Sequence, residues 1–305
     1  MTSDTVGAHV YWTRPRSVDM PKFSDLDWCV LAVSAIVWRA LNGPAWLFTD
    51  QRGRDEIEVA GLLPLWDRVD VDCLEQIPKT IHAPAFWDFG KTVALCHLPA
   101  SGCVLDLDLI VWDHLLPSGS GAVSFLHWET PVMPWYPGPD GLSVPTGYTF
   151  DPSIEWDTPV CNTAFLRCPD PVVRQTFLEN ANRFASGNRP TGSGIAEMLF
   201  AGQRSLAHVI RVSGTSPQPL IDYLYVPCGE SRWLNDPLPV DDPLAPEACD
   251  FGVPFTHLWR HKHMLRKQPA ATLALRERLV SRCRERAGAA FEHLLSALNS
   301  SKKVS

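Results

Sequence analysis

Gly102-Cys103-Val104-Leu105-Asp106-Leu107-Asp108-Leu109-Ile110-Val111-Trp112 sets two carboxylates, two positions apart, in an otherwise apolar run. Read as a strand, the stretch places Asp106 and Asp108 on one face. Two like charges in apolar surroundings are costly unless a cation or the end of the strand receives them. A hard divalent cation takes oxygen ligands, and Mg²⁺ sites combine one or two carboxylates with substrate phosphates. The stretch therefore predicts a site for a metal-bound diphosphate, with a solvated strand end as the alternative.

The pattern occurs three times, which is why the surroundings matter. Asp25-Leu26-Asp27 precedes a helical pattern, where helix capping is a sufficient explanation. Asp70-Val71-Asp72 reads as part of an edge strand with one wet face. Only Asp106-Leu107-Asp108 has long apolar runs on both sides.

Outward from the doublet, strands and helices alternate. Ala8–Trp12 reads as a first strand. A helix is predicted over Ser24–Leu41, with Ser24 as N-cap, Asp27 at the third helical position and Gly43-Pro44 as its stop. Ala45–Thr49 reads as a second strand ended by Asp50-Gln51-Arg52-Gly53, Asp55–Leu63 as a short helix, and Asp67–Asp72 as a third strand. A helix over Ala85–Cys96 leads into the doublet strand. This order predicts an α/β fold with a mostly parallel, Rossmann-like central sheet flanked by helices, which binds ligands at the carboxyl ends of its strands. Further on, Ala122–Trp128 and Val160–Leu166 read as strands, with a Pro- and Gly-rich loop over 130–159 between them. Helices are predicted over Pro169–Ala185 and Ile195–Ala207, irregular chain over 236–254, and a last helix over about 269–298. Leu279, Cys283, Ala287, Ala290, Leu294 and Leu298 form the apolar stripe of that helix.

The chain has 305 residues, 27 of them Pro and 12 Trp; most of the Trp are expected in the core and some along a binding cleft. Nine Cys without a Cys-x-x-Cys pair read as reduced, buried thiols. A polar start and no run long enough to span a bilayer predict a cytoplasmic protein. From Arg260 onward 11 Lys/Arg face 3 Asp/Glu, while the preceding residues carry 16 against 31, or −15. The acidic body disfavours nucleic acid as a partner. The basic helix is expected to dock on that body, with peripheral contact to an anionic membrane or a partner helix as the alternative.

Taken in order, these segments resemble the GT-A-fold glycosyltransferases with a DxD motif, in particular bacterial glycosyltransferase-like proteins. His9-Val10-Tyr11-Trp12 is similar to the opening strand that receives the nucleotide base, and Phe86-Trp87-Asp88-Phe89-Gly90-Lys91 to the helix before the DxD strand. Val104–Asp108 resembles the DxD strand itself. Cys161–Leu166 resembles the strand with an Asn near the sugar, although Thr163 stands where the family has Ala or Gly. Phe255–Lys262 resembles the late segment that supplies a His to the metal and a Lys to the diphosphate. The resemblance covers about residues 8–263. It implies a catalytic domain over 1–268, with a nucleotide-sugar half to about 128 and an irregular acceptor half from about 129. An amphipathic helix over 269–299 would pack on it, followed by a tail over 300–305.

The resemblance further implies a transferase that uses Mn²⁺ or Mg²⁺ and a nucleotide-diphosphate sugar, a UDP-sugar before others. The acceptor, a glycan, protein or small molecule, is left open. Asp106, Asp108 and His257 would hold the metal, Asp108 directly. Trp12, Lys91, Asp106, Asn162 and Lys262 would contact the donor. Each has a plain alternative: core packing for Trp12, a snorkelling helix residue for Lys91, a loop hydrogen bond for Asn162, a solvated tail residue for Lys262 and a packed surface residue for His257. Glu155, Asp157 and Glu197 are the candidates for a catalytic base, and helix-dipole complementarity alone would explain Glu197. The rival readings are a transferase-like module that binds a nucleotide or glycan without turnover, and a phosphatase of the haloacid dehalogenase type. Ile110 does not fit the phosphatase motif.

Overall fold

The computed structural model describes residues 5–16, 23–115, 121–192, 194–226, 232–233, 253–259 and 262–292. Its first half follows the alternating pattern: β1 (Gly7–Tyr11), α1 (Asp25–Leu41), β2 (Ala45–Thr49), α2 (Gln51–Val59), β3 (Arg68–Asp70), α3 (Phe89–Cys96) and β4 (Cys103–Leu105). There follow β5 (Leu109–Val111), β6 (Val123–Phe125), β7 (Trp128–Glu129), β8 (Val160–Cys161), β9 (Phe165–Arg167) and α4 (Pro171–Ala185). The remainder comprises α5 (Ile195–Leu199), α6 (Ser205–Ser213), β10 (Pro217–Pro219), β11 (Tyr223–Tyr225), β12 (Arg232–Trp233), β13 (Phe255–His257), α7 (Lys262–Leu265) and α8 (Pro269–Ala287).

A seven-stranded sheet in the order β10-β6-β9-β4-β1-β2-β3 organises the molecule. Its pairings are parallel except those of β9, which opposes both β4 and β6. The expected α/β class with a mostly parallel sheet flanked by helices is therefore what the chain forms. Strands from both halves of the sequence build it. Along β1, β2 and β4 side chains alternate between two cores. Tyr11, Ala45, Leu47, Cys103 and Leu105 join the core under α1 and α8. Ala8, Val10, Phe48 and Val104 join the one under α3, α4 and α6. Burial on both faces is why these strands read as continuous apolar runs.

α1 begins as expected. Ser24 Oγ accepts from the Asp27 N–H, and the Asp27 carboxylate accepts in turn from the Ser24 N–H, a reciprocal capping box. Asn42 and Gly43, the latter at φ 126°, end the helix. α2 starts four residues before the expected Asp55. Asp50 is its N-cap, accepting from the Gly53 N–H at 2.8 Å, so the residues that look like a turn form the cap and first helical turn. α3 is shorter than expected, because the chain before it forms separate turns: the Ala85 and Phe86 N–H groups donate to His82 O and the Phe89 N–H to Phe86 O.

The largest departure concerns the doublet. Gly102–Trp112 is not one strand: β4 ends at Leu105, Asp106-Leu107-Asp108 turns, and β5 pairs antiparallel with β13 in a sheet of its own. Ala122–Trp128 and Val160–Leu166 are interrupted likewise, and β7 and β8 join β11 and β12 in a four-stranded sheet. The breaks lie side by side, bound by Asp106 N–H to Ala164 O (2.7 Å), Leu126 N–H to Asn162 O (3.1 Å) and Asn162 N–H to His127 O (2.9 Å). Chain leaves the main sheet there at one level, which creates the floor of a cleft.

Ile195–Ala207 is likewise not one α-helix, since a π-helical turn over Phe200–Arg204 separates α5 from α6. The 130–159 segment holds a single short 3₁₀ turn, Pro139–Gly141. It is secured by aromatic packing, with Trp156 stacked on Phe200 at 5.7 Å and Tyr148 edge-on to Phe184 at 5.2 Å. Nearly all of 236–254 lies outside the described residues. α8 packs on the body and ends at Ala287, with Gly288 at φ 51° as its C-cap, instead of running on to 298. Leu275, Leu279, Cys283 and Ala287 are buried in the α1 core, while Arg276 and Arg286 reach Asp25 and Asp113 at 3.5 and 3.1 Å. Ala290 is half-buried, and Leu294 and Leu298 lie outside the described residues. The seven described cysteines are free thiols, five of them buried. No helix among the described residues is long and apolar enough to cross a membrane.

Candidate metal and ligand site

The order β3-β2-β1-β4 places a reversal between β1 and β4: the chain builds outward through β2 and β3, then returns to the other side of β1. In open α/β sheets ligands bind in the crevice at the carboxyl ends of such strands. Trp12 follows β1 there, and Asp106 follows β4.

The turn over Asp106–Asp108 closes on itself through the Leu109 N–H to Asp106 O bond of 3.1 Å. Antiparallel pairing of β13 with β5 puts His257 opposite Leu109, and the Leu258 N–H donates to Asp108 O at 3.1 Å. One ligand atom each from Asp106, Asp108 and His257 thereby falls within 4.8 Å of the others. The doublet was expected to share a strand face; it shares a site instead because a turn converges it on His257.

His257 Nε2 stands 3.6 Å from Asp106 Oδ2 and 3.5 Å from Asp108 Oδ1, too long for hydrogen bonds. It is 2% exposed, and among the described residues neither ring nitrogen has a hydrogen-bond partner. A buried imidazole orphaned at two carboxylates fits a divalent cation, to which all three groups can donate. Burial would lower the His257 pKa, but the Asp106 and Asp108 carboxylates outweigh it and hold it at about 9.

Two lysines flank the turn. Lys91 Nζ, on α3, lies 2.5 Å from Asp106 Oδ1 and 2.8 Å from Asp88 Oδ1, and donates to Thr163 O at 3.2 Å. Lys262 Nζ, on α7, lies 2.9 Å from Asp108 Oδ2 and 3.5 Å from Asp27 Oδ1. Burial pushes against ionisation of Asp106 and Asp108. Lys91 for Asp106 and Lys262 for Asp108, each with His257, nevertheless hold both carboxyls below the usual range. Asp88 goes the other way, because its burial prevails over Lys91, and the two neighbouring aspartates add to the rise.

A cavity of about 400 Å³ opens on this cluster, lined by Trp12, Trp87, Asp88, Lys91, Trp259 and Lys262 as well as the doublet. Trp87 and Trp259 are 50% and 41% exposed, so they present aromatic surface at its mouth. Trp12 is buried, with the Arg14 guanidinium 5.0 Å over its ring. Arg14 itself is held by the Ile77 and Pro78 carbonyls, and Asp50 accepts from the Thr13 and Arg14 N–H groups, which fixes the loop after β1.

The structure thus brings together Trp12, Lys91, Asp106, Asp108, His257 and Lys262. Asn162 sits beneath them and faces inward: its Nδ2 donates to Glu129 at 2.5 Å and its Oδ1 accepts from the Ala164 N–H at 3.0 Å. None of the three candidate bases lines this cleft. Glu155 pairs with Arg211 at 3.0 Å beside another cavity, Asp157 is exposed, and Glu197 is buried and accepts from the Ser143 N–H. Sequence reasoning missed Asp88, whose spacing of three from Lys91 on an incipient helix was the available signal. It also missed Glu129, a buried carboxyl bonded to Asn162 and Tyr136, for which the local sequence holds no signal.

No protein-family model matches the chain, and no curated protein matches it by sequence.

Proposed function

We propose that the protein is a metal-dependent glycosyltransferase of GT-A-like architecture, taking its sugar from a nucleoside-diphosphate sugar. The observation that carries this reading is the meeting of Asp106, Asp108 and His257 between two lysines, in a cleft at the strand-order reversal. Mn²⁺ or Mg²⁺ held there would act as a Lewis acid on the diphosphate. Lys262, which lines the cleft beside Asp108, would neutralise charge on the leaving diphosphate. Lys91 keeps Asp106 ionised and oriented, while Trp87 and Trp259 offer flat surfaces to a base or sugar ring. A UDP-sugar is the donor to test first, and a glycan, protein or small molecule remains the acceptor.

The cleft also favours a second reading. With Glu155, Asp157 and Glu197 elsewhere, a module that binds the donor without transferring it fits the same residues. Thermal unfolding with UDP, GDP and dTDP, each with and without Mn²⁺, tests the shared part. One diphosphate should stabilise the protein only with metal, and Asp108→Ala should abolish the effect. Stabilisation without metal, or retained in Asp108→Ala, refutes both readings. Hydrolysis of the matching nucleotide sugar then favours the enzyme, and binding without hydrolysis the module.

A further inference from the structure

A second cavity, of about 680 Å³, lies between the 151–159 segment, α6 and the strands β7, β10 and β11, and shares no lining residue with the metal cleft. Trp128, Ile154, Ile210 and Leu224 give it apolar walls. Arg204, His208 and Arg211 line it at i, i+4 and i+7, one face of a helix.

Arg204 is the unusual member. It is 3% exposed and closes the π-helical turn, a feature that often marks functional positions in helices. Its Nη1 donates to the Glu155 carbonyl at 2.9 Å and its guanidinium lies 5.5 Å over the Trp156 ring, yet among the described residues its buried Nη2 has no hydrogen-bond partner. Among the described residues no carboxylate lies within ion-pair distance of it. Arginine stays protonated when buried, and a buried charge without a counter-ion is strongly disfavoured. The neighbouring charges do not resolve this. Glu155 is engaged by Arg211 at 3.0 Å, Asp151 stands 3.5 Å from His208 Nε2, and Asp157 acts on Arg204 only at longer range.

We propose that this cavity binds an amphiphilic anion, a carboxylate or phosphate head countering Arg204 and an apolar body lying along Trp128, Ile154 and Leu224. The volume is that of an ordinary small-molecule site. The proposal is independent of the transferase reading, since it involves neither the metal ligands nor the lysines beside them.

Calorimetric titration of the full chain with octanoate, octyl phosphate, octanamide and inorganic phosphate tests it. One octyl anion should bind saturably and at least tenfold more tightly than both octanamide and inorganic phosphate. Which of the two binds better assigns the head group. Arg204→Gln should weaken that binding at least tenfold. Ala207→Trp, which fills the cavity with Arg204 intact, should abolish it even if Arg204→Gln fails to fold. Equal affinity for octanamide, binding matched by inorganic phosphate alone, no saturable binding, or unchanged affinity in Ala207→Trp overturns the proposal.

Discussion

Replacing Asp27 tests how the base of the candidate site is held. Asp27 is 3% exposed and does two things at once. It completes the capping box of α1 with Ser24, and it receives Lys262 at 3.5 Å and Arg266 at 3.0 Å from the chain that follows His257. Ser24→Ala removes the side-chain half of the cap and should cost about 1 kcal/mol. Asp27→Ala loses the other half of the box, the carboxylate that accepts from the Ser24 N–H and Oγ, and also strips two cations of a carboxylate. Removing one partner of a fully buried pair costs about 3–5 kcal/mol. Arg266 is 46% exposed and Lys262 keeps Asp108, so that part is discounted to about 2 kcal/mol, for a total of about 3 kcal/mol. Urea unfolding at pH 7 with an unchanged slope measures both variants. Burial opposes ionisation of Asp27, but Ser24, Lys262 and Arg266 prevail and hold its carboxyl below the usual range. Its contribution is therefore present above its unfolded pKa of about 3.9 and is lost as the pH falls through the lower folded value. The difference between wild type and Asp27→Ala should shrink below about pH 4. An Asp27→Ala loss no larger than that of Ser24→Ala would refute the reasoning and leave Asp27 a simple cap.

Other expectations follow from the same kind of accounting. His9 is fully buried, with its Nδ1 accepting from Trp66 Nε1 and its Nε2 on Ser34 Oγ at 2.9 Å, and burial pulls its pKa down to about 3. It stays neutral when folded but charges when unfolded, so stability is full above about pH 6.5 and falls by about 1.4 kcal/mol per pH unit on acidification. Denaturation at pH 7 and pH 5 should differ by about 2 kcal/mol from this group, and His9→Gln should remove that difference. Gly7→Ala places a Cβ 2.3 Å from the Trp38 ring, which is 1% exposed and cannot yield; a loss of at least about 2 kcal/mol in thermal unfolding is expected. Arg174 donates to the carbonyls of Leu95, Leu98, Pro99 and Cys168, tying the start of α4 to the end of α3. Arg174→Met should cost about 3 kcal/mol, and a change below about 1 kcal/mol would show that water replaces it.

Much of this arrangement was legible locally. α1 announced its start through Ser24 and Asp27, and β1, β2 and β4 announced themselves as apolar runs buried on both faces. Asp50 shows the limit of that reading: a residue that ends a strand looks identical to one that caps a helix until the Gly53 N–H is seen to bond to it. The broken strands escaped for a similar reason. Apolar periodicity runs straight through Asp106–Asp108, Leu126–His127 and Asn162–Thr163. A strand that changes sheets keeps its apolar pattern, and only hydrogen-bond partners 35 to 150 residues away reveal the break.

The sequence by itself determined the composition of the candidate site. The doublet could be named from residue type and surroundings, because carboxylates in an apolar run are costly unless a cation or a strand end receives them, whereas the late His and the two lysines could be named only through the resemblance of their segments to the DxD transferases. Tertiary structure alone decided how they meet. His257 reaches Asp106 and Asp108 because β13 pairs with β5 in one register, and a slip by one residue would turn the imidazole to the other face. Tertiary structure alone also put Glu155, Asp157 and Glu197 outside the cleft and Asp88 inside it. Long-range register and burial are properties of the packed chain, so no local pattern encodes them.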